Sequence, residues 1–467
     1  MTALDTPGVT TRPGDEWRLL RAVLLAIIAF SSSMTIVSAS LPTLAADLDS
    51  SESTLAWTVT GLILANAVGT PVFGKLGDLH GHRRVFLGGA ALLTLATAAC
   101  AVAWSAGSLI AFRVLVGVGI SAAMPTGTAM VMAAFGVERR ARAMGWYQMA
   151  MTGAPVIGLV VGGPMVDWLG WRSVFVVLTP LAAAGWLMAR RVLPRTPTNP
   201  DVRVDWWGAG LLAYSTFALL FGLDRGGRAG FDDPLAVLLI AGAPVTLVAF
   251  VAVERRADQP LLQLRYFRRR NFTGGLVAAP LTQLPYMGGF ILTPILLESR
   301  FGMGVAAVAL VLLFRPGAYS VTSPLGGRLV GIHGERALIL GGSALMVASM
   351  VVYALAVWSG LLWVVIVALA LSGVALGLAA PAHSTVVANA VDDADLGVAN
   401  GMQQTMQFIG IAAGIQIMFV LLGDARSADA FAGVFLFGAG VAVLSLAGGL
   451  LIRRADRPAS APGRTRP

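Results

Sequence analysis

Gly74-Lys75-Leu76-Gly77-Asp78-Leu79-His80-Gly81-His82-Arg83 recurs in the second half of the chain as Gly327-Arg328-Leu329-Val330-Gly331-Ile332-His333-Gly334-Glu335-Arg336. Gly, Leu, His, Gly and Arg keep register in both copies. Each copy is a short basic connector between two long apolar runs. Two short loops can match by chance, but here both follow an even-numbered apolar run. Internally repeated halves with a solute site between them are a common transporter design.

The rest of the chain is built from the same unit, long apolar runs joined by short connectors. A helix rising 1.5 Å per residue needs about 20 mainly apolar residues to cross roughly 30 Å of hydrocarbon. Fourteen such runs are present, near 19–44, 55–76, 85–104, 108–134, 143–166, 172–190, 204–223, 235–253, 272–297, 304–330, 337–357, 361–386, 396–421 and 430–452. Many contain Gly and Pro, which membrane helices tolerate. The composition agrees: 57% of the 467 residues are hydrophobic and 12% charged, and mean hydropathy is +0.78. A soluble domain carries about 25% charged residues, so this chain lacks the polar coat of a soluble protein. Arg18 and Arg21, with Val37-Ser38-Ala39 as a cleavage-like site, faintly suggest a signal peptide. That apolar stretch runs on to Ala45, too long for a signal segment, and reads as the first span.

The net charge of +9 follows topology. Starting from a cytoplasmic N-terminus, most arginines fall on inner segments: Arg12 to Arg21, Lys75 to Arg84, Arg139 to Arg142, Arg190 to Arg203, Arg255 to Arg270, Arg328 with Arg336, and Arg453 to Arg466. Few fall outside: Arg172, Arg225, Arg228, Arg300 and Arg426. The positive-inside rule therefore sets both termini in the cytoplasm, and the basic face meets anionic lipid. This removes the nucleic-acid reading. The single Cys100 allows no intramolecular disulfide or Cys metal cluster, and the four histidines lack metalloenzyme spacing. No cofactor is expected. The loops are too short for a catalytic domain, and the densest basic run, Arg265 to Arg270, reads as a topological anchor.

Against that frame, Gly74, Leu76, Asp78, Gly81, Arg83 and Arg84 resemble the major facilitator loop G-x-L-x-D-x-x-G-x-R-[KR] between the second and third helices. The resemblance implies that Gly74, Asp78, Gly81, Arg83 and Arg84 gate the inner side, Asp78 pairing with arginines or with a helix N-terminus. Arg113-Val114-Leu115-Val116-Gly117-Val118-Gly119 is similar to the family motif R-x-x-q-G-x-g, with Val116 in place of glutamine, and implies a part for Arg113 in proton transfer. Gly153, Gly158, Gly162 and Gly163 resemble the antiporter motif g-x-x-x-G-P-x-x-G-G, with Leu159 where the family has proline; its small residues serve close helix packing. Ser33 to Pro42 resembles the fourteen-helix branch pattern l-D-x-T-I-V-N-v-A-L-P. Ser33 replaces its aspartate and Ser38 its asparagine, removing a common acidic site. The implied fold is all-α and membrane-integral. Two pseudo-symmetric six-helix bundles, 1–190 and 272–467, flank an inserted two-helix segment, 191–271.

Proton-coupled antiport needs a carboxylate that gains and loses protons as access alternates. None lies clearly at mid-membrane. Asp47, Asp167, Asp224 and Glu298 fall near outer ends, Glu298 being the best embedded, with an interfacial pairing to Arg300 as its competing role. Arg315, beside Pro316, has no acidic partner on its own helix. Asn66, Gln148, Gln283, Tyr286, Arg315, Gln403 and Gln407 are the candidates for sparse polar groups in an apolar cavity, with Tyr147, Gln404 and His383 beside them. For each, an interhelical hydrogen bond is the competing role. The expected function is proton-coupled efflux of small amphipathic compounds by alternating access. An alternative stays open: a transporter of one metabolite, anionic if Arg315 meets it. A membrane enzyme or receptor is remote, because no clustered catalytic ligands and no signalling domain are present. Expected partners are substrate, protons and membrane lipids, with the chain a monomer in the cell membrane.

Overall fold

The computed structural model describes residues 15–50, 52–55, 57–196, 205–257, 264–392, 395–423 and 425–453. The regular structure described is helical throughout. The first half holds α1 (Asp15–Ala39), short α2 (Leu41–Asp47) and α3 (Glu52–Leu55), then α4 (Trp57–His80), α5 (His82–Ala101), α6 (Ala106–Leu169) and α7 (Arg172–Val192). Next come α8 (Trp206–Ala229) and α9 (Pro234–Glu254), and a 3-10 turn, Leu264–Arg268. The second half holds α10 (Arg270–Phe301), short α11 (Val305–Leu312), α12 (Phe314–His333), α13 (Glu335–Ser359), α14 (Leu362–Ala388), α15 (Leu396–Leu422) and α16 (Ala428–Leu451). Eleven helices among the described residues are long and apolar enough to cross a membrane.

The two repeat copies make the same turn. Gly81 (φ 91°) separates α4 from α5, and Gly334 (φ 82°) separates α12 from α13. Positive φ is open to glycine without a Cβ clash, which is why the second glycine of each copy holds register. A third break lies inside α6, at Gly136 (φ 62°, ψ 167°). The break leaves carbonyls of the preceding turn without helical donors, and the Arg140 Nε–H donates to one of them, Met132 O, at 2.9 Å. The arm before Gly136 and the arm after it match two separate apolar runs of the sequence. A capping box starts the first arm, Ser105 and Ser108 each accepting from the other's backbone N–H.

α1, α4, α5, α6 and α7 pack together, and α10, α12, α13, α14, α15 and α16 pack together. The halves meet along a seam where α6 faces α12 and α4 faces α15. Lipid gives little hydrophobic drive for helix association, so close backbone approach must supply the contact. The first glycine of each repeat copy does this. A Cβ on Gly74 would collide with Gly397 O of α15, and one on Gly327 with Ala141 O of α6. Both collisions are with the opposite half. α8 and α9 pack on each other, tied by Ser215 Oγ–H donating to Ala243 O at 2.9 Å. α8 also touches α4 and α15, so it flanks the seam on that side.

The outer surface is apolar in mid-helix: Leu95, Leu238, Val248 and Val321 are all more than two-thirds exposed. Exposed tryptophans mark both ends, Trp206 and Trp207 at the arginine-rich end and Trp104, Trp168, Trp358 and Trp363 at the other. This is the aromatic belt of a membrane protein. The buried apolar residues form two main clusters. One joins the first half to the arginine-rich parts of the second, running from Leu19 through Met144 and Tyr147 to Val386, Leu396 and Ile452. The other, from Leu284 to Ala442, stays within the second half. The core is thus continuous across the seam at the arginine-rich end and divided toward the opposite end.

Candidate functional site

Asp78 ends α4 at the arginine-rich end of the seam. Its Oδ1 accepts from Gly397 N–H and its Oδ2 from Val398 N–H, each at 2.9 Å. These are first-turn amides of α15, which no residue of their own helix satisfies. The carboxylate also sits at the positive end of that helix dipole. Of the two pairings open in the sequence, the helix N-terminus is therefore the one formed. Arg83 does not meet Asp78. It donates through Nη2 to Arg190 O at 2.8 Å and through its backbone N–H to Thr196 Oγ1 at 3.1 Å, tying the loop to α7 and the segment that follows it in the same half. His82 takes the place beside Asp78, Nε2 lying 3.2 Å from Oδ1. Arg84 is exposed.

The second repeat copy has Gly331 where the first has Asp78, and its latch differs. Arg140 Nη1–H donates to Asn389 Oδ1 at 3.1 Å, and Asn389 Nδ2–H donates to Glu335 Oε1 at 2.8 Å. The basic run 265–270 is more than an anchor. Tyr266 is fully buried, its hydroxyl 2.7 Å from Asp395 Oδ2 and 2.9 Å from Asp392 Oδ2. Burial, and then donation to Asp395, push the Tyr266 phenol up to about 12. Arg265 pairs with Asp392 at 2.8 Å, and Arg269 donates to Ala390 O at 2.6 Å. The run clamps the loop that feeds α15, the helix Asp78 grips. Sequence reading missed these partners because both lie more than 120 residues away.

Arg113, fully buried in the first arm of α6, joins three helices. Its Nε–H donates to Thr58 O at 3.2 Å and its Nη1–H to Ser33 Oγ at 3.0 Å. Ser33 is the position where the fourteen-helix pattern carries aspartate. The substitution noted in the first span therefore removes the carboxylate that would face Arg113. No ion pair involves Arg113 among the described residues. Glu298 is exposed at the far end of α10, as is Arg300, and no ion pair joins them. Asp47 has real partners: Trp171 Nε1–H at 2.9 Å and Arg172 Nη1–H at 2.6 Å, which together hold its carboxyl below the usual range. The side chains of Ser38, Asp167, Asp224 and Arg228 lie outside the described residues.

Arg315, on α12, is 2% exposed. Its guanidinium carbon lies 3.3 Å from the Tyr286 ring centroid and 4.3 Å from that of Phe290. Gln283 shares the α10 face of Tyr286 and is buried with Oε1 unpaired. On α15, Gln403 and Gln404 are buried, each with one amide atom unpaired, and on α6 Tyr147 is buried with an unpaired hydroxyl. These polar groups gather on α6, α12, α10 and α15, the helices at or beside the seam. Gln407 and Gln148 are half-buried. Asn66 is buried and bonded locally, Oδ1 accepting from Thr70 Oγ1 at 3.2 Å.

The antiporter-motif glycines have two jobs. A Cβ on Gly158 would press on Ser32 of α1, and one on Gly162 on Ile36. Ser32 Oγ–H also donates to Ala154 O at 3.1 Å. Gly153 instead looks across the seam to Ser320. Gly163 continues the same helix. Gly153, Gly158 and Gly162 line an almost wholly apolar cavity of about 390 Å³ with Ile28, Met149 and Ser320, within the size range of drug-sized ligand sites.

Comparison with known proteins extends this picture. The Major Facilitator Superfamily profile matches residues 22–315 and 284–467. The Tetracenomycin C resistance and export protein of Streptomyces glaucescens is 29% identical over 437 residues, covering 91% of this chain and 79% of that protein. The Cephamycin export protein of Amycolatopsis lactamdurans is 30% identical, covering 95% of this chain and 96% of that protein. Among solved structures, the human organic anion transporter MFSD10 superposes with a TM-score of 0.67 over 94% of this chain and all of that one, at 16% identity. That likeness concerns the fold alone.

Proposed function

Because this chain belongs to the Major Facilitator Superfamily, we propose that it is a proton-coupled secondary transporter exporting small amphipathic compounds by alternating access. The names of its antibiotic-exporting relatives support the efflux direction. The observation that carries the mechanism is the asymmetric seam. Asp78 on the α15 N-terminus, with the two glycine contacts, closes the arginine-rich end, while the apolar core is divided toward the other. Halves 1–190 and 272–467 rock about this seam, and 191–271 adds two helices, giving fourteen crossings. The arginine-rich end faces the cytoplasm, so the conformation is closed inward. Protein and lipid suffice, as a monomer in the cell membrane.

The gate consists of Gly74, Asp78 and Gly81, with Arg83 and Arg84 bracing the loop. The solute site between the halves, separate from the apolar cavity at Gly153, Gly158 and Gly162, draws on Asn66, Gln148, Gln283, Tyr286, Arg315, Gln403 and Gln407. Arg113 organises α1, α4 and α6 around the proton path, and Glu298 is the titratable group that samples the outside. Everted membrane vesicles carrying a pH-sensitive dye test this reading. Compounds that are exported should discharge an imposed proton gradient only in vesicles containing the protein. A gradient untouched by acidic, neutral and cationic aromatic compounds alike would defeat the efflux reading, and an unaltered pH profile in Glu298→Gln would remove Glu298 from coupling.

A further inference from the structure

We propose that Arg315 is the anion-binding group of the translocation site, so that the exported compounds carry a carboxylate or ionised phenol on a planar apolar body. This rests on the efflux reading and narrows its substrate class. The guanidinium is almost wholly buried and lies against two aromatic rings of α10, Tyr286 at 3.3 Å and Phe290 at 4.3 Å. Rings satisfy the faces of a guanidinium, not its N–H edge. That edge is hardly used. Nε and Nη1 have no acceptor; Nη2 meets the Met287 thioether at 3.7 Å, a weak acceptor, and another polar neighbour is the neutral Tyr286 hydroxyl.

No carboxylate pairs with Arg315 among the described residues. A charged side chain within a membrane span is expensive and ordinarily faces a partner or a pathway. With no resident carboxylate among the described residues, the unpaired Nε and Nη1 are left for a ligand oxygen pair, which a guanidinium can take bidentately. Arg113 is the contrast. It is equally buried, but two of its nitrogens are bonded to Thr58 and Ser33. The surroundings of Arg315 also specify the ligand's body. Tyr286 and Tyr319 meet edge to face beside the guanidinium, with centroids 6.1 Å apart, an aromatic neighbourhood that favours a planar ring system on the ligand. The Gln283 carbonyl oxygen, one turn from Tyr286 and unpaired, can accept from a ligand hydroxyl. A cationic substrate would meet an uncompensated positive charge at the same place.

The test uses full-length protein purified in detergent and three matched probes: pyrenebutyrate, its neutral methyl ester, and the pyrenebutyl-trimethylammonium cation. Pyrene fluorescence anisotropy reads binding. The wild type should bind the carboxylate at least tenfold tighter than the ester, and the cation most weakly. Arg315→Met, which fills the aromatic cage with a thioether, should erase that preference, and Arg315→Lys should keep part of it. Equal binding of carboxylate and ester by the wild type, or no binding of any probe, overturns the proposal without recourse to a variant. A folded Arg315→Met that keeps the preference overturns it too. Proteoliposomes with an imposed pH gradient separate the two readings. Cation export without carboxylate preference leaves efflux standing and sinks the Arg315 site. Carboxylate binding that no gradient converts to movement supports the site and sinks efflux.

Discussion

Replacing Asp78 by Asn removes the negative charge at the α15 N-terminus and turns one of two acceptor oxygens into an amide donor. In the wild type the carboxylate is nearly buried and holds two amides, Gly397 and Val398, at 2.9 Å. Hydrogen bonds to a charged group contribute about 1.5–3 kcal/mol each, and neutral ones about 0.5–1.5. Asn keeps at most one neutral bond, so the latch should weaken by roughly 2.5–4.5 kcal/mol. If that energy belongs to the closed state alone, the closed-to-open ratio falls about 60- to 1,600-fold, since 1.4 kcal/mol is about tenfold. Cysteine accessibility can read the shift. Cys100 is buried and can be replaced by Ala, and Ser323 on α12, fully buried at the seam, can be changed to Cys. In everted vesicles a membrane-impermeant maleimide should label Ser323→Cys at least tenfold faster when Asp78→Asn is also present. Unchanged labelling in a variant of normal thermal stability would refute the latch, because the charged contacts would then be present equally in both states.

Three further outcomes follow from the same geometry. Gly74→Ala and Gly327→Ala each drive a Cβ into backbone of the opposite half and should raise labelling as Asp78→Asn does. Gly331→Ala, with open space around it, should leave labelling unchanged; equal effects of all three would point to helix propensity instead. Ser33→Asp places a carboxylate beside the Arg113 Nη1, now 3.0 Å from the Ser33 hydroxyl. Removing one partner of a buried pair costs about 3–5 kcal/mol, so restoring one should raise the detergent melting temperature by several degrees; no rise would mean Arg113 is already neutralised. The Tyr266 phenol ordinarily titrates at 10.0 and here is pushed up to about 12. Its folded pKa being the higher, the stabilisation is complete below about pH 10 and lost as pH rises through 12. Tyr266→Phe should therefore flatten the alkaline limb of a stability-against-pH curve while leaving the neutral plateau lower; identical limbs would remove the Tyr266 clamp.

Several of these sites were legible as residues before they were legible as contacts. Asp78, Arg113, Arg315 and the motif glycines announce themselves because charge within apolar runs is costly and glycine in a repeated register signals a turn or a close approach. Ser33 announces itself by its departure from a pattern. The partners carry no such signal. Thr58, Asn389, Asp392 and Phe290 are ordinary residues at ordinary helical or loop positions. His82 looks like any other side chain of a basic loop until Asp78 is seen beside it.

What the chain of residues determines alone is local and periodic. Apolar runs long enough for a bilayer dictate helices, because every backbone polar group must be satisfied within the segment. The twin glycine turns at 81 and 334 follow from backbone sterics, and the distribution of arginine identifies one end of every helix. Helix packing decides the rest. Arg113 and Ser33 are 80 residues apart in sequence and meet only because α1 packs on α6 within the first half; Asp78 and Gly397 are 319 apart and meet only across the seam between the two halves. Whether a buried arginine is quenched by a carbonyl, as Arg113 is, or held against aromatic rings with Nε and Nη1 unpaired, as Arg315 is, depends on which helix lies opposite. Hydrophobicity gives each helix a place in the membrane and leaves its neighbours unspecified; neighbours are selected by steric fit and hydrogen bonding, which exist only once the helices are packed.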